Sequence, residues 1–232
     1  MFGLGGPSRP KVVAFDVIGT LFPLEPLRPA VVALGLPGAA LEGWFAAGLR
    51  DAFALSAVDD FKPFPEVLEE AMNQVLAEQK IEAPAGAAAG LVAQIGQLSA
   101  RSDARYAFEI LKEAGLRIIA LTNGSPTVTK TLIAQAELDG FVERIVSVEE
   151  VKLFKPRREV YARAAEVSHV EAGELALVAA HGWDIHGAGS AGLVTAYLDA
   201  ERPFPHTMRK PDLEAGTLSQ LARGLADLPS PS

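Results

Sequence analysis

Short unbroken apolar runs alternate along the chain with longer stretches in which apolar positions recur every three or four residues. The first run, Val12-Val13-Ala14-Phe15, has the character of a strand buried on both faces, as in a parallel sheet covered by helices. It ends in Asp16 and then the pair Gly19-Thr20. Further strands are predicted over Arg117 to Leu121, Arg144 to Val148, Leu175 to Ala180 and Val194 to Leu198. Amphipathic spacing between them predicts helices over Asp103 to Gly115, Thr127 to Leu138, Arg158 to Val167 and about Leu218 to Ala226. Gly115 supplies a C-cap, and Ser125 with Pro126 supplies an N-cap and first-turn pair.

No strand pattern occurs between Pro23 and Ser99. After Pro23, Pro26 and Pro29 the pattern turns helical. Leu41, Trp44, Phe45, Leu49, Phe53 and Leu55 fall at helical spacing within Ala39 to Val58, and further helices are predicted over Pro65 to Gln79 and about Ala85 to Leu98. The plain reading of these aromatics is a core for the insert. Strands alternating with helices give an α/β, doubly wound parallel-sheet (Rossmann-like) core with right-handed crossovers. Residues 1–22 and 100–232 form that core, and residues 23–99 form a helical domain inserted into it.

Composition narrows the function. The 232 residues include no cysteine, which excludes disulfides, thiolate metal sites and a cysteine nucleophile. A net charge of -8 without a basic run argues against nucleic acid or an anionic membrane as partner and favours a small molecule. The opening MFGLGGPSRP lacks the apolar core of a secretory signal, and no apolar run is long enough to span a bilayer, so a cytoplasmic protein is expected. The tail from Pro229 to Ser232 is expected to be disordered.

Parallel strands present their carboxyl ends on one edge, where α/β sheets bind ligands. Asp16, Thr122, Asn123, Lys155, His181 and Asp184 all follow predicted strands and should converge there. Gly19 lets the chain turn back and bring backbone N–H groups towards whatever Asp16 faces. Thr122 and Asn123 taken alone are turn chemistry, and Lys152 is a surface charge. Lys155 precedes Pro156, which bars helical geometry at that position and favours an inward lysine.

The segments FDVIGTLF, LTNGSP, SVEEVKLFKPRREVY and the WD of HGWD identify the family. In their order and spacing, over nearly the whole chain, the sequence resembles the haloacid dehalogenase superfamily and, within it, the type II L-2-haloacid dehalogenases. The resemblance implies that the insert is a cap. It also implies that the Asp16 carboxylate displaces halide from the carbon beside the substrate's own carboxylate, forming an ester that water hydrolyses. Lys155 would hold the nucleophile's charge and orientation, and Asp184 would balance Lys155. Thr122 and Asn123 would bind the substrate carboxylate or the halide, helped by backbone amides around Val17 and Ile18. No cofactor and no metal are implied; a homodimer through insert helices is.

Most of the superfamily are phosphatases, with a second aspartate two residues after the nucleophile and a magnesium ligand four before the final motif aspartate. Here those positions are Ile18 and Ala180. Two departures from the dehalogenase pattern stand out. Trp44 is followed by Phe45 in place of an arginine, and Ala179-Ala180-His181-Gly182 replaces small hydroxyl residues and an asparagine. An unperturbed imidazole titrates near about 6.5, so His181 is suited to activate the hydrolytic water. Glu25 either orients that imidazole or is a solvated charge, and the two readings weigh equally. Phe22, Phe45 and Trp183 are expected to line an apolar pocket. The favoured reading is a hydrolytic dehalogenase converting short 2-haloacids, of the 2-halopropionate or haloacetate type, to 2-hydroxyacids; the rival readings are a phosphatase acting on a small metabolite and a non-catalytic relative binding a small carboxylate or a protein partner.

Overall fold

The computed structural model describes residues 6–200 and 203–230. Its centre is the strand β1 (Val12–Asp16), buried at every residue. After it come α1 (Arg28–Ala33), α2 (Ala40–Ala57), α3 (Phe64–Glu78) and α4 (Ala87–Ala93). The rest alternates: α5 (Ala104–Glu113), β2 (Arg117–Thr122), α6 (Pro126–Gln135), β3 (Val142–Ser147), α7 (Arg158–Ser168), β4 (Leu175–Ala179), α8 (Gly182–Ala191) and β5 (Val194–Leu198). The chain then adds β6 (Leu213–Ala215) and α9 (Leu218–Ala226).

Among the described residues the sheet has six strands in the order β3-β2-β1-β4-β5-β6, and every pairing is parallel. β1 pairs with β2 on one side and β4 on the other, so the strand order reverses at β1. Asp16, its last residue, therefore stands at the topological switch point where open α/β sheets place their ligands.

Elements depart from the sequence expectation where burial changes. β3 starts at Val142, two residues before the predicted Arg144, because Glu143 and Arg144 are exposed and write no apolar run; Glu143 is held by Arg117. β6 is missing from the prediction altogether: three residues on the sheet edge, Glu214 exposed and its neighbours half-buried, carry no apolar run. The helix expected over Ala85 to Leu98 is α4 followed by a 3-10 turn, Gln94–Gln97. Of the tail expected to be disordered, residues 231–232 lie outside the described residues.

The helix α2 has two working faces. On one, Trp44 donates its indole N–H to the Leu68 carbonyl of α3 at 2.8 Å. Gly48 lets the helices close, since a Cβ there would lie 2.6 Å from Leu68 Cδ2. On the other, Leu41, Phe45, Leu49 and Phe53, one per turn, face a cavity above the sheet's carboxyl edge. The end of α2 is tied to that edge: Ser56 Oγ accepts from the Phe154 N–H at 2.8 Å, and Arg157 donates to the Ser56 carbonyl at 2.6 Å.

Candidate active site

The loop after β1 folds back on its own strand. Gly19 has φ +86°, a conformation only glycine takes without strain, and the Phe22 and Leu21 amides bond to Val17 O at 3.0 Å and Asp16 O at 3.4 Å. The reversal returns Thr20 over the carboxylate. Its hydroxyl donates to Asp16 Oδ2 at 2.6 Å and accepts from the Ala180 N–H at 2.9 Å. The Gly19 and Leu21 amides are committed inside the loop.

Lys155 reaches the same point from the far side and has no exposed surface. Its ammonium donates to Asp16 Oδ1 at 2.7 Å, Asp184 Oδ2 at 2.6 Å and the Leu121 carbonyl at 3.1 Å. Three donors meet three acceptors, so none is orphaned. Tyr161, on α7, donates to the other Asp184 oxygen at 2.6 Å. Gly187 makes room for it: a Cβ there would lie 2.7 Å from the Tyr161 hydroxyl. Asp184 itself sits in the first turn of α8, which begins at Gly182 rather than after the WD pair.

The charges follow from this packing. Burial opposes ionisation of Asp16, but the Lys155 charge and the hydrogen bonds from His181 and Lys155 overcome it and hold the carboxyl well below the usual carboxylate range. Burial also works against the Lys155 ammonium, and Asp16 with Asp184 more than offsets it, raising its pKa. Asp184 is pushed up by burial, with the neighbouring Asp16 charge adding to the effect against the pull of Lys155. Tyr161 is raised well above the ordinary phenol by burial and then by the Asp184 charge, so it stays a neutral donor.

His181 Nδ1 lies 2.9 Å from Asp16 Oδ2. A carboxylate only accepts, so Nδ1 carries the proton and the lone pair of the neutral ring is on Nε2. The ring stacks with Phe45, 6.0 Å away centroid to centroid, and with Trp183, 5.1 Å away. It also covers Gly19, where a Cβ would fall 2.7 Å from His181 Cε1. On its outer side a cavity of about 710 Å³ opens.

The structure thus brings Asp16, Lys155, His181 and Asp184 together, with Phe45 and Trp183 against the histidine. Asn123 is adjacent: its Oδ1 accepts from the Lys155 backbone N–H at 3.1 Å, which leaves its amide nitrogen as the donor end. Thr122 Oγ1 accepts from the Gly124 N–H at 2.9 Å, the turn chemistry expected of it in isolation. Ile18 packs its side chain against this same turn.

Two expectations are corrected. Glu25 does not orient His181: its exposed carboxylate is taken by Arg28 in a two-pronged pair, at 2.7 and 2.5 Å, and that bond lowers its pKa. Arg28 is three residues on in the adjoining helical turn and outcompetes a ring already committed to Asp16. Phe22 does not line the cavity; it is wholly buried in the core beneath the loop. Spacing assigns no site role to Thr20 or Tyr161, although Thr20 stands beside the glycine that turns the loop and Tyr161 ends the lysine-bearing segment.

A family model described as haloacid dehalogenase-like hydrolase matches residues 10–192. The chain belongs to that family. Among curated relatives of this haloacid dehalogenase-like hydrolase, (S)-2-haloacid dehalogenase 4A of Burkholderia cepacia is 25% identical over 221 residues, 94% of this chain and 93% of the relative. Haloacetate dehalogenase H-2 of Moraxella sp. (strain B) is 22% identical over 192 residues, 82% of this chain and 85% of the relative. Among solved structures, L-2-haloacid dehalogenase from Xanthobacter autotrophicus with chloropropionic acid covalently bound superposes with a TM-score of 0.86 at 23% identity, covering 94% of this chain and 99% of that one. Among the described residues no helix is long and apolar enough to cross a membrane.

Proposed function

We propose that the protein hydrolyses the carbon–halogen bond of 2-haloacids, converting them to 2-hydroxyacids through an ester on Asp16. The observation that carries this reading is the buried carboxylate at the switch point, held ionised by a lysine that a second aspartate balances. The Burkholderia and Moraxella relatives, named for (S)-2-haloacids and haloacetate, support the substrate class. Residues 23–99 act as a cap over a core of residues 1–22 and 100–232, and the working unit is a cytoplasmic homodimer needing no cofactor.

Oδ1 of Asp16 is tied to the Lys155 ammonium, whereas Oδ2 takes only neutral donors, the Thr20 hydroxyl and the His181 ring, so Oδ2 is the attacking oxygen. Its lone pair forms the bond to the carbon bearing halogen, and the halide leaves with the bonding pair. The Asn123 amide nitrogen and the amides of Val17 and Ile18 supply donors for the substrate carboxylate or the departing halide. Alkylation removes the negative charge that fixed the His181 ring. The freed imidazole takes a proton from water, the hydroxide adds to the Asp16 carbonyl carbon, and the imidazolium returns the proton to the departing oxygen, so that the hydroxyacid leaves with the oxygen that Asp16 supplied and the regenerated Asp16 carboxyl loses its proton to solvent.

Halide release from 2-chloropropionate, run beside p-nitrophenyl phosphate hydrolysis with and without magnesium, tests the reading. Chloride release that ignores chelators, with background phosphate release, is expected; magnesium-dependent phosphate release alone would contradict it. His181→Ala is expected to slow the second step more than the first. The Asp16 ester should then accumulate in single-turnover mass spectra, and rapid, complete hydrolysis in that variant would remove His181 from the water step.

A further inference from the structure

Resting on the proposed dehalogenase reading, we infer that the cavity beside His181 receives the apolar substituent of the substrate, so that longer-chain 2-haloacids are better substrates than three-carbon ones. A 2-halopropionate has six heavy atoms, roughly 180 Å³ at about 30 Å³ for each water-sized group. The cavity measures about 710 Å³. Such space is far more than the small acid fills, and it begins one imidazole ring from the nucleophile, since His181 both lines it and touches Asp16 Oδ2 at 2.9 Å.

Its chemistry matches a hydrocarbon tail. Leu41, Phe45, Leu49 and Phe53 form one wall along α2, Trp183 joins it in ring contact with Phe53 at 5.3 Å, and Met208 adds to the lining. The carboxylates and the arginine of the wall are already paired. Glu25 and Glu42 both hold Arg28, and Arg50, two-thirds exposed, pairs with Asp51. The donors suited to a substrate carboxylate, Asn123 and the loop amides, lie instead outside the cavity lining, on the Asp16 side of the ring. An acid with its polar head at Asp16 and an alkyl tail in the cavity satisfies both regions at once.

The test uses the full chain and three substrates, 2-bromopropionate, 2-bromohexanoate and 2-bromooctanoate, read by bromide release. Burial of each methylene is expected to raise kcat/KM by roughly threefold to fourfold, so the hexanoate should exceed the propionate by at least about tenfold. A flat or falling series would overturn the inference while leaving the dehalogenase reading intact. Ala46→Trp, at an exposed position of α2 on the cavity wall, is expected to erase the gain with chain length; a gain that survives it would also overturn the assignment. Calorimetric binding of octanoate against propionate gives a readout free of chemistry. Tighter octanoate binding by about tenfold or more supports the cavity's role even if no acid is dehalogenated, and equal binding contradicts it.

Discussion

Asp16→Asn is expected to lower halide release by at least about 10⁴-fold, in line with the loss of a covalent nucleophile in other hydrolases. The change keeps the side-chain shape but removes the charge that attacks carbon. Asp16 receives donors on both oxygens, from Lys155 on Oδ1 and from Thr20 and His181 on Oδ2. An amide cannot accept from all of them, because one of its two ends is a donor. Lys155 retains Asp184, so the fold should survive, which circular dichroism would check. Loss confined to kcat, with substrate binding preserved, is the expected pattern. Activity within about tenfold of wild type would mean that water attacks the carbon directly.

Lys155→Met is expected to give the largest change in stability, about 3–5 kcal/mol near neutrality, because removing one partner from a buried charge cluster strands the others. Its pH dependence carries the sharper signature. In the wild type the Asp16 pKa is depressed, so its contribution to stability is present above the unfolded value near 3.8 and is lost only as pH falls far into acid. Without the lysine, burial and mutual repulsion raise the Asp16 and Asp184 carboxyls instead. A raised carboxyl contributes stability only below its unfolded pKa and loses it as pH climbs through the folded one. The Tm gap between variant and wild type should therefore widen from about pH 4 to pH 7. A gap independent of pH would show that the cost is packing rather than charge.

The doubly wound sheet was legible because its buried strands write unbroken apolar runs, and the family motifs that follow those strands, together with Pro156 beside Lys155, pointed to Asp16, Lys155, His181 and Asp184. β6 and the start of β3 were not legible, since strands on a sheet edge carry half-exposed residues and no clear period. Thr20 was hidden by a different cause: its contact with Asp16 exists only because Gly19 reverses the chain, a three-dimensional event that spacing does not encode. Glu25 failed for want of a competitor. Nothing in its spacing to His181 reveals that Arg28, three residues away, takes the carboxylate. The aromatics of α2 show the limit of periodicity, which placed Trp44 and Phe45 on a helix without telling the face that packs on α3 from the face that lines a cavity.

A single turnover in heavy-oxygen water with enzyme in excess over a 2-haloacid bears most directly on the covalent step. If the ester forms on Asp16, the product hydroxyl takes ordinary oxygen from the side chain, and the peptide containing Asp16 gains the heavy isotope. Heavy oxygen found in the hydroxyacid, with none in that peptide, would contradict the account.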